Sequence, residues 1–172
     1  MPSNIEIKLR VEDLGQVESI AASIADSGPT YLVQEDVFYN ADSGRLKLRK
    51  FGDGKAELIS YHREDSDTAR ESEWLAYSTL ESDSLEGVLD KSLGRAITVR
   101  KRRTLYLIGN TRIHLDQVED LGSFVELEVV LESNDSHSKS LGAKVAEELI
   151  GKLGLATAPR MSHAYADLLE NK

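Results

Sequence analysis

The sequence predicts an α+β protein: about eight strands forming a largely antiparallel sheet, with three or four helices packed outside it. Three observations carry this expectation. Strict two-residue alternation of apolar and charged residues recurs along the chain, most cleanly in 4-NIEIKLRV-11 and 123-SFVELEVVL-131. The strand candidates are mostly joined by short turn signals such as Gly52-Asp53-Gly54 and Gly109-Asn110, which suit antiparallel neighbours. Apolar residues at helical spacing are confined to a few separate stretches.

In residues 4–11, Ile5, Ile7, Leu9 and Val11 form a core face, and Asn4, Glu6, Lys8 and Arg10 form the other. Residues 12–27 are expected to be a helix, with Leu14, Val17, Ile20, Ala21 and Ile24 as its apolar stripe and Gly28-Pro29 as its stop. Residues 33–40 read as a short strand in which Gln34, Asp36 and Phe38 share a face. In 45-RLKLRKF-51, Leu46 and Leu48 face a core while Arg45, Lys47 and Arg49 line the opposite side. The return strand, 56–63, has mixed parity, and alternation does not choose between Glu57/Ile59/Tyr61/Arg63 and Leu58/Ser60/His62 as its inner face.

Residues 64–71 are a polar loop, and 72–78 form a strand candidate with the single Trp. Residues 83–94 are helical in pattern, through Leu85, Val88, Leu89 and Leu93 with Gly94 as the stop. Residues 96–108 are the longest strand candidate and contain 100-RKRR-103. The stretch 112–131 is two strands with a turn between. In the first, Arg112, His114 and Asp116 share one face. In the second, Glu126 and Glu128 point the same way, about 7 Å apart by strand rise. A helix over 138–154 and a short one over 161–170 complete the chain.

At 172 residues the chain has the size of one domain, 1–172, and can bury a sizeable core. It has no cysteine, so disulfides, thiolate metal sites and cysteine nucleophiles are excluded. The net charge of −9 argues against nucleic acid as a partner. No apolar run approaches the roughly 20 residues of a membrane helix, and MPSNIEIK has no secretory pattern. The expectation is a cytoplasmic protein without membrane contact.

At least five strands carry charge on one face. The plain reading is an open sheet with a solvated side. Yet Arg and Glu at strand centres have few neutral polar residues between them. Arg suits bidentate phosphate contacts, and paired carboxylates suit a hard divalent cation held together with substrate phosphates. A sheet curled into a barrel would gather both sets in one lumen.

Six segments, 4-NIEIK-8, 45-RLKLR-49, 58-LISYHR-63, 99-VRKRR-103, 112-RIHLD-116 and 122-GSFVELE-128, together resemble the CYTH superfamily, the triphosphate tunnel metalloenzymes, most closely the class IV adenylyl cyclase type. The resemblance spans nearly the whole chain. It implies an eight-stranded antiparallel tunnel lined with charge. It also implies Mg²⁺ or Mn²⁺ held by Glu6, Glu126 and Glu128, with Asp116 near the metal or orienting an inner cation.

By the same resemblance Lys8, Arg45, Lys47, Arg63, Lys101, Arg103 and Arg112 contact a triphosphate, and Glu6, Lys8, Glu126 and Glu128 are the catalytic set. Arg63 and Tyr61 face inward, as do Lys101 and Arg103. Arg49 either pairs with a wall carboxylate or touches substrate. His114 is a hydrogen-bond partner in the tunnel, and His62 lies outside. Asn4 stands where the family's first signature Glu is expected, which puts a second metal in question.

The implied reaction is conversion of ATP to cyclic AMP and pyrophosphate. Two alternatives stay open: hydrolysis of an inorganic or organic triphosphate such as thiamine triphosphate, and a polyphosphate- or nucleotide-binding module without turnover. The resemblance also implies a homodimer.

Overall fold

A computed structural model describes residues 3–63 and 68–172, without the side chains of Arg63 and Arg70. Eight strands and four helices are present among the described residues. In chain order they are β1 (Ser3–Val11), α1 (Leu14–Ile24), β2 (Ser27–Tyr39), β3 (Arg45–Lys50), β4 (Ala56–Arg63), β5 (Arg70–Thr79), α2 (Ser82–Leu93), β6 (Arg95–Ile108), β7 (Thr111–Val118), β8 (Gly122–Val130), α3 (Ser136–Lys152) and α4 (Tyr165–Glu170). The strands close into an antiparallel barrel in the order β1-β5-β4-β3-β2-β6-β7-β8. Among the described residues, no helix is long and apolar enough to cross a membrane.

Closure follows from the alternation. Strands β1, β3, β7 and β8 turn their apolar faces outward and their charged faces inward. Ile5, Ile7, Leu9, Ile113, Leu115, Val125, Leu127 and Val129 are buried on the outer wall against Val17 and Ala21 of α1 and Ala146, Leu149 and Ile150 of α3. Gly142 lets α3 sit close to that wall, because a Cβ there would lie 2.8 Å from Leu131 Cδ2 and 3.0 Å from Ile5 Cγ1. Helix α2 covers a second patch, Val37, Tyr39, Leu48 and Ala56, with Leu89. Asp13 caps α1 through Gly15 N–H at 2.7 Å, and Asp135 caps α3 through Ser138 N–H at 2.8 Å.

Three boundaries differ from the sequence expectation. Helix α1 ends at Ile24, and Gly28-Pro29 lies inside β2. The cause is pairing with β6. Asp26 N–H already donates to the Leu107 carbonyl at 2.8 Å, and Gly28 sits at a register shift with φ +117°, its α-hydrogen side packed on Leu105 O. Strand β5 begins at Arg70, within the stretch expected to be loop; residues 64–67 of that loop lie outside the described residues.

The last helix begins at Tyr165 instead of Met161. Residues 159–161 run beside β1: Arg10 N–H donates to Pro159 O at 2.8 Å, and Met161 N–H donates to Lys8 O at 2.9 Å. Strand β1 pairs with β5 only over Ser3–Glu6, so this segment occupies the rest of that seam.

Helix α4 then closes one end of the barrel. Phe38, Val99, Val118 and Phe124, all of inward parity, cluster with Tyr165 and Ala166. Arg45 on β3 holds the helix through a bidentate pair with Asp167, 2.8 Å at each nitrogen. Exposure rises toward the other end: Phe124 and Val99 are buried, whereas the Arg112 side chain is 41% exposed. The barrel is a cup.

Candidate active site

The inward faces enclose a cavity of about 430 Å³. Its lining takes alternate residues from each strand, and six cations there (Lys8, Lys47, Arg49, Lys101, Arg103, Arg112) face five carboxylates (Glu6, Asp36, Glu57, Glu126, Glu128). The charges are nearly balanced in number but separated in space. Four of the cations sit on β3 and β6, the two strands that flank β2, and three of the carboxylates sit on β8 and β1.

On the positive side three cations converge on Asp36. Arg49 lies directly across from it, and Lys47 and Lys101 lie one diagonal step away on β3 and β6. The contacts are Arg49 Nε and Nη2 at 2.8 Å, Lys47 Nζ at 2.9 Å and Lys101 Nζ at 3.4 Å. Asp36 is 2% exposed. Burial pushes its carboxyl up, but Arg49, Lys101 and Lys47 outweigh burial and hold it well below the usual carboxylate range. The lysines feel the opposite pull. Burial lowers Lys101 to about 7, with Arg103 and Arg49 adding to it against Asp36. Burial and Arg49 lower Lys47 to about 8. Three cations on one anion leave about two charges unmet, so the wall is poised for a polyanion.

A second anchor fixes Arg103. Asp116, its partner across the β6–β7 ladder, accepts both guanidinium nitrogens at 2.6 Å and the Tyr165 hydroxyl at 2.8 Å. Burial would raise Asp116, but Arg103 overrides it and brings the carboxyl to about 2. The Tyr165 hydroxyl is raised by its own burial and by Asp116 and Glu126. Its ring floors the cavity, with Lys8 Nζ 4.1 Å and Lys101 Nζ 5.4 Å from the centroid.

On the negative side, β8 is the centre. Glu126 has Lys8 and His114 as its two ladder neighbours, and Glu128 has Glu6 and Arg112. Here the contacts are long. Glu126 lies 3.2 Å from Lys8 Nζ, 3.2 Å from Arg103 Nη2 and 3.5 Å from His114 Nδ1. Glu128 lies 3.5 Å from Arg112 Nη1 and 3.7 Å from His114 Nδ1. Asp36 and Asp116 are saturated by contacts at 2.6–2.9 Å, whereas Glu126 and Glu128 keep acceptor capacity. Burial raises Glu126, and Lys8, His114 and Arg103 together bring it well below its ordinary value.

One ligand atom from each of His114, Glu126 and Glu128 fits within 4.8 Å of the others. Glu6 stands directly beside Glu128 in register, and like charges so placed are destabilising unless a cation lies between. Asn4 Oδ1, farther along the same face of β1, is buried with no hydrogen-bond partner. Such a donor set fits a divalent cation.

The structure brings Glu6, Lys8, Lys47, Lys101, Arg103, Arg112, Glu126 and Glu128 to one cavity. It sets Arg45 apart, at the closed end on Asp167, because Arg45 is the first residue of β3 and lies beside α4. It sets Asp116 apart from the converging donors, since both its oxygens are taken by Arg103 and Tyr165. The Arg63 side chain lies outside the described residues; its strand turns Glu57, Ile59 and Tyr61 inward. His62 is on the outer face.

Asp36 and Tyr165 are the site residues that sequence reasoning missed. A carboxylate between Gln34 and Phe38 on an inward face was the only available signal for Asp36. Away from the β7–β8 donors in ring order, β4 and β5 present Ile59, Tyr61, Trp74 and Ala76, an apolar and aromatic wall.

A family model described as CYTH domain matches residues 3–165. Among solved structures, a protein from Pyrococcus horikoshii OT3 aligns at TM-score 0.84 with 23% identity, over 96% of this chain and 98% of that one. A candidate adenylate cyclase from Vibrio parahaemolyticus aligns at TM-score 0.80 with 19% identity, over 97% of each chain. A Hippeastrum protein described as a candidate adenylyl cyclase with dominant triphosphatase activity aligns at TM-score 0.66 with 13% identity, over 99% of this chain and 96% of that one. These likenesses show the fold. No curated protein matches the sequence.

Proposed function

Since the chain belongs to the CYTH domain family, we propose that it is a metal-dependent enzyme that takes a nucleoside triphosphate into the cup and cyclises it, as a class IV adenylyl cyclase does. One observation carries the reading: the lumen is divided into a wall with excess cations around Asp36 and a wall of loosely held carboxylates on β8. A polyanion and a divalent cation are the pair of guests that satisfies both walls.

In this reading Lys47, Arg49, Lys101 and Arg103 grip the phosphate chain, and Lys8 reaches it from β1. Phosphoryl and nucleotidyl transfer depend on positioning and charge neutralisation more than on covalent participation. Glu126 and Glu128, with Glu6 beside them, would hold Mg²⁺ or Mn²⁺, which supplies Lewis-acid neutralisation of phosphate oxygens. Asp116 serves by holding Arg103 in one orientation through the bidentate contact. The 3′-oxygen attacks the α-phosphorus and gives up its proton to water, and the bond from that phosphorus to the α,β-bridging oxygen breaks. Pyrophosphate leaves into the cationic wall. The aromatic wall of Tyr61 and Trp74 favours a substrate with an organic moiety over bare triphosphate, because stacking needs a ring to act on.

The test is turnover of ATP, inorganic triphosphate and thiamine triphosphate with Mg²⁺ and with Mn²⁺, all products resolved by chromatography. Cyclic AMP with equimolar pyrophosphate is the expected result. Orthophosphate as the product would replace the cyclase with a triphosphatase. Tight binding without turnover of any of the three would make the protein a binding module.

The lysines add a pH signature. Lys101 at about 7 and Lys47 at about 8 are partly neutral in the free protein, and a bound polyphosphate restores their charge. Protons are therefore taken up on binding. The association constant for inorganic triphosphate is expected to fall with rising pH by up to roughly tenfold per lysine per pH unit, from about 7 upward. Free-protein stability moves the other way. An unfolded lysine binds its proton up to about 10.5, so between about 7 and 10.5 the unfolded state holds more protons, and these two groups make stability rise with pH. Calorimetric titration in two buffers of different ionisation enthalpy reads the proton uptake. A pH-independent affinity with no uptake would show that these lysines stay charged throughout.

A further inference from the structure

Within that reading of the lumen, we propose that His114 is a direct metal ligand through Nδ1. With Glu126 and Glu128 it forms a nitrogen–oxygen centre that prefers first-row transition ions, such as Mn²⁺ and Co²⁺, over Mg²⁺.

Four observations support it. His114 Nδ1 is turned toward the two glutamates, 3.5 Å from Glu126 Oε1 and 3.7 Å from Glu128 Oε1. These separations are long for hydrogen bonds and wide enough for an ion to sit among the three donors. The ring is 4% exposed and fixed on β7 directly across from Glu126, so its position is set by the ladder and not by a mobile side chain. The other acidic candidate of this region, Asp116, is already saturated by Arg103 and Tyr165. Finally, Asn4 Oδ1 is a buried, unpartnered oxygen on the adjacent strand, facing the same cavity.

Position 4, at which the family resemblance implies a further carboxylate, thus holds a neutral amide, and an imidazole converges with the glutamates. An imidazole nitrogen among the oxygen donors changes which ion fits. Mg²⁺ favours an all-oxygen octahedron and keeps several waters, whereas imidazole binds transition ions strongly in the order Mn²⁺ < Co²⁺ < Ni²⁺. Metal loading requires Nδ1 to carry the lone pair and Nε2 the proton.

The test uses the full chain loaded with Mn²⁺ and electron spin-echo envelope modulation to detect ligand nitrogen. The wild-type protein is expected to show a directly bound ¹⁴N, replaced by the ¹⁵N pattern when the four histidines are ¹⁵N-labelled. Of these, His114 is the one that lines the cavity. This experiment needs no variant to fold. In competition, displacing Mn²⁺ from the wild type is expected to need on the order of 100-fold excess Mg²⁺. His114→Asn is expected to lower that excess about tenfold or more.

Mn²⁺ bound without histidine nitrogen coupling would overturn the proposal and leave the triphosphate reading standing on an all-oxygen centre. Failure of the wild-type protein to retain Mn²⁺, with or without inorganic triphosphate, would overturn both.

Discussion

Replacing Asp36 with asparagine is expected to destabilise the protein by about 3–5 kcal/mol at pH 6, because it leaves Arg49, Lys47 and Lys101 buried around a neutral group. For a chain of this size that is a fall in Tm on the order of 10 °C. Two further results distinguish this cause from loss of packing. The penalty shrinks at pH 9, because Lys101 and Lys47, already near 7 and 8, shed their protons once Asp36 no longer holds them. Inorganic triphosphate restores much of the loss, since it supplies the missing negative charge; at a hundredfold excess over Kd the gain is about 2.7 kcal/mol. The variant therefore binds the polyanion at least as tightly as the wild type while being less stable without it. Thermal scans at the two pH values, with and without ligand, check this. Equal stability of variant and wild type at pH 6 would show that the three cations do not depend on Asp36.

Glu126→Gln is expected to lower kcat on the order of 10³-fold with KM for the triphosphate unchanged or reduced. Glu126 is buried between Lys8, Arg103 and His114, and it is the carboxylate in reach of both the converging donors and the cationic wall. Removal of its charge weakens the metal centre, so stabilisation of charge developing on the phosphates is lost. It also removes a repulsion on the bound anion, so ground-state binding does not suffer. Arg103 keeps Asp116, so the wall that grips phosphate stays in place. Far-UV circular dichroism of the variant beside steady-state kinetics separates this outcome from unfolding. A kcat within a few fold of wild type would reduce Glu126 to a partner of the wall cations and remove the metal from the reaction.

The architecture was legible where alternation is clean. In β1 and β8 the apolar and charged parities separate without exception over the strand centres, and the pairing of Ile5, Ile7 and Leu9 with Val129, Leu127 and Val125 follows from burying those faces together. The start of β2 was not legible. Ser27 to Tyr31 are exposed, so no buried face imposes alternation there, and the Gly-Pro pair reads as punctuation although the ladder with β6 runs through it.

Site residues were legible as faces but not as neighbours. Lys47, Arg49 and Lys101 each carry a visible charge, yet only the register between β2, β3 and β6 shows that one aspartate binds all three. Arg45 shares their parity and was expected with them. One strand end separates it from the cavity, and a C-terminal helix more than a hundred residues away claims it. Tyr165 was visible only as an apolar residue of that helix, and nothing local marks its ring as the floor beneath Lys8.

Among the described residues α4 stoppers one end of the barrel and leaves the other as the doorway. A guest that uses that doorway is a chain terminus or a free small molecule, since an internal segment of a polymer would need an exit at the stoppered end. Whatever enters first is held deepest and must leave last, past the position its successor needs. In the proposed reaction a phosphate product lodged on the cationic wall would compete with the next substrate for the same seat, and the rate of emptying would set a ceiling on the rate of filling.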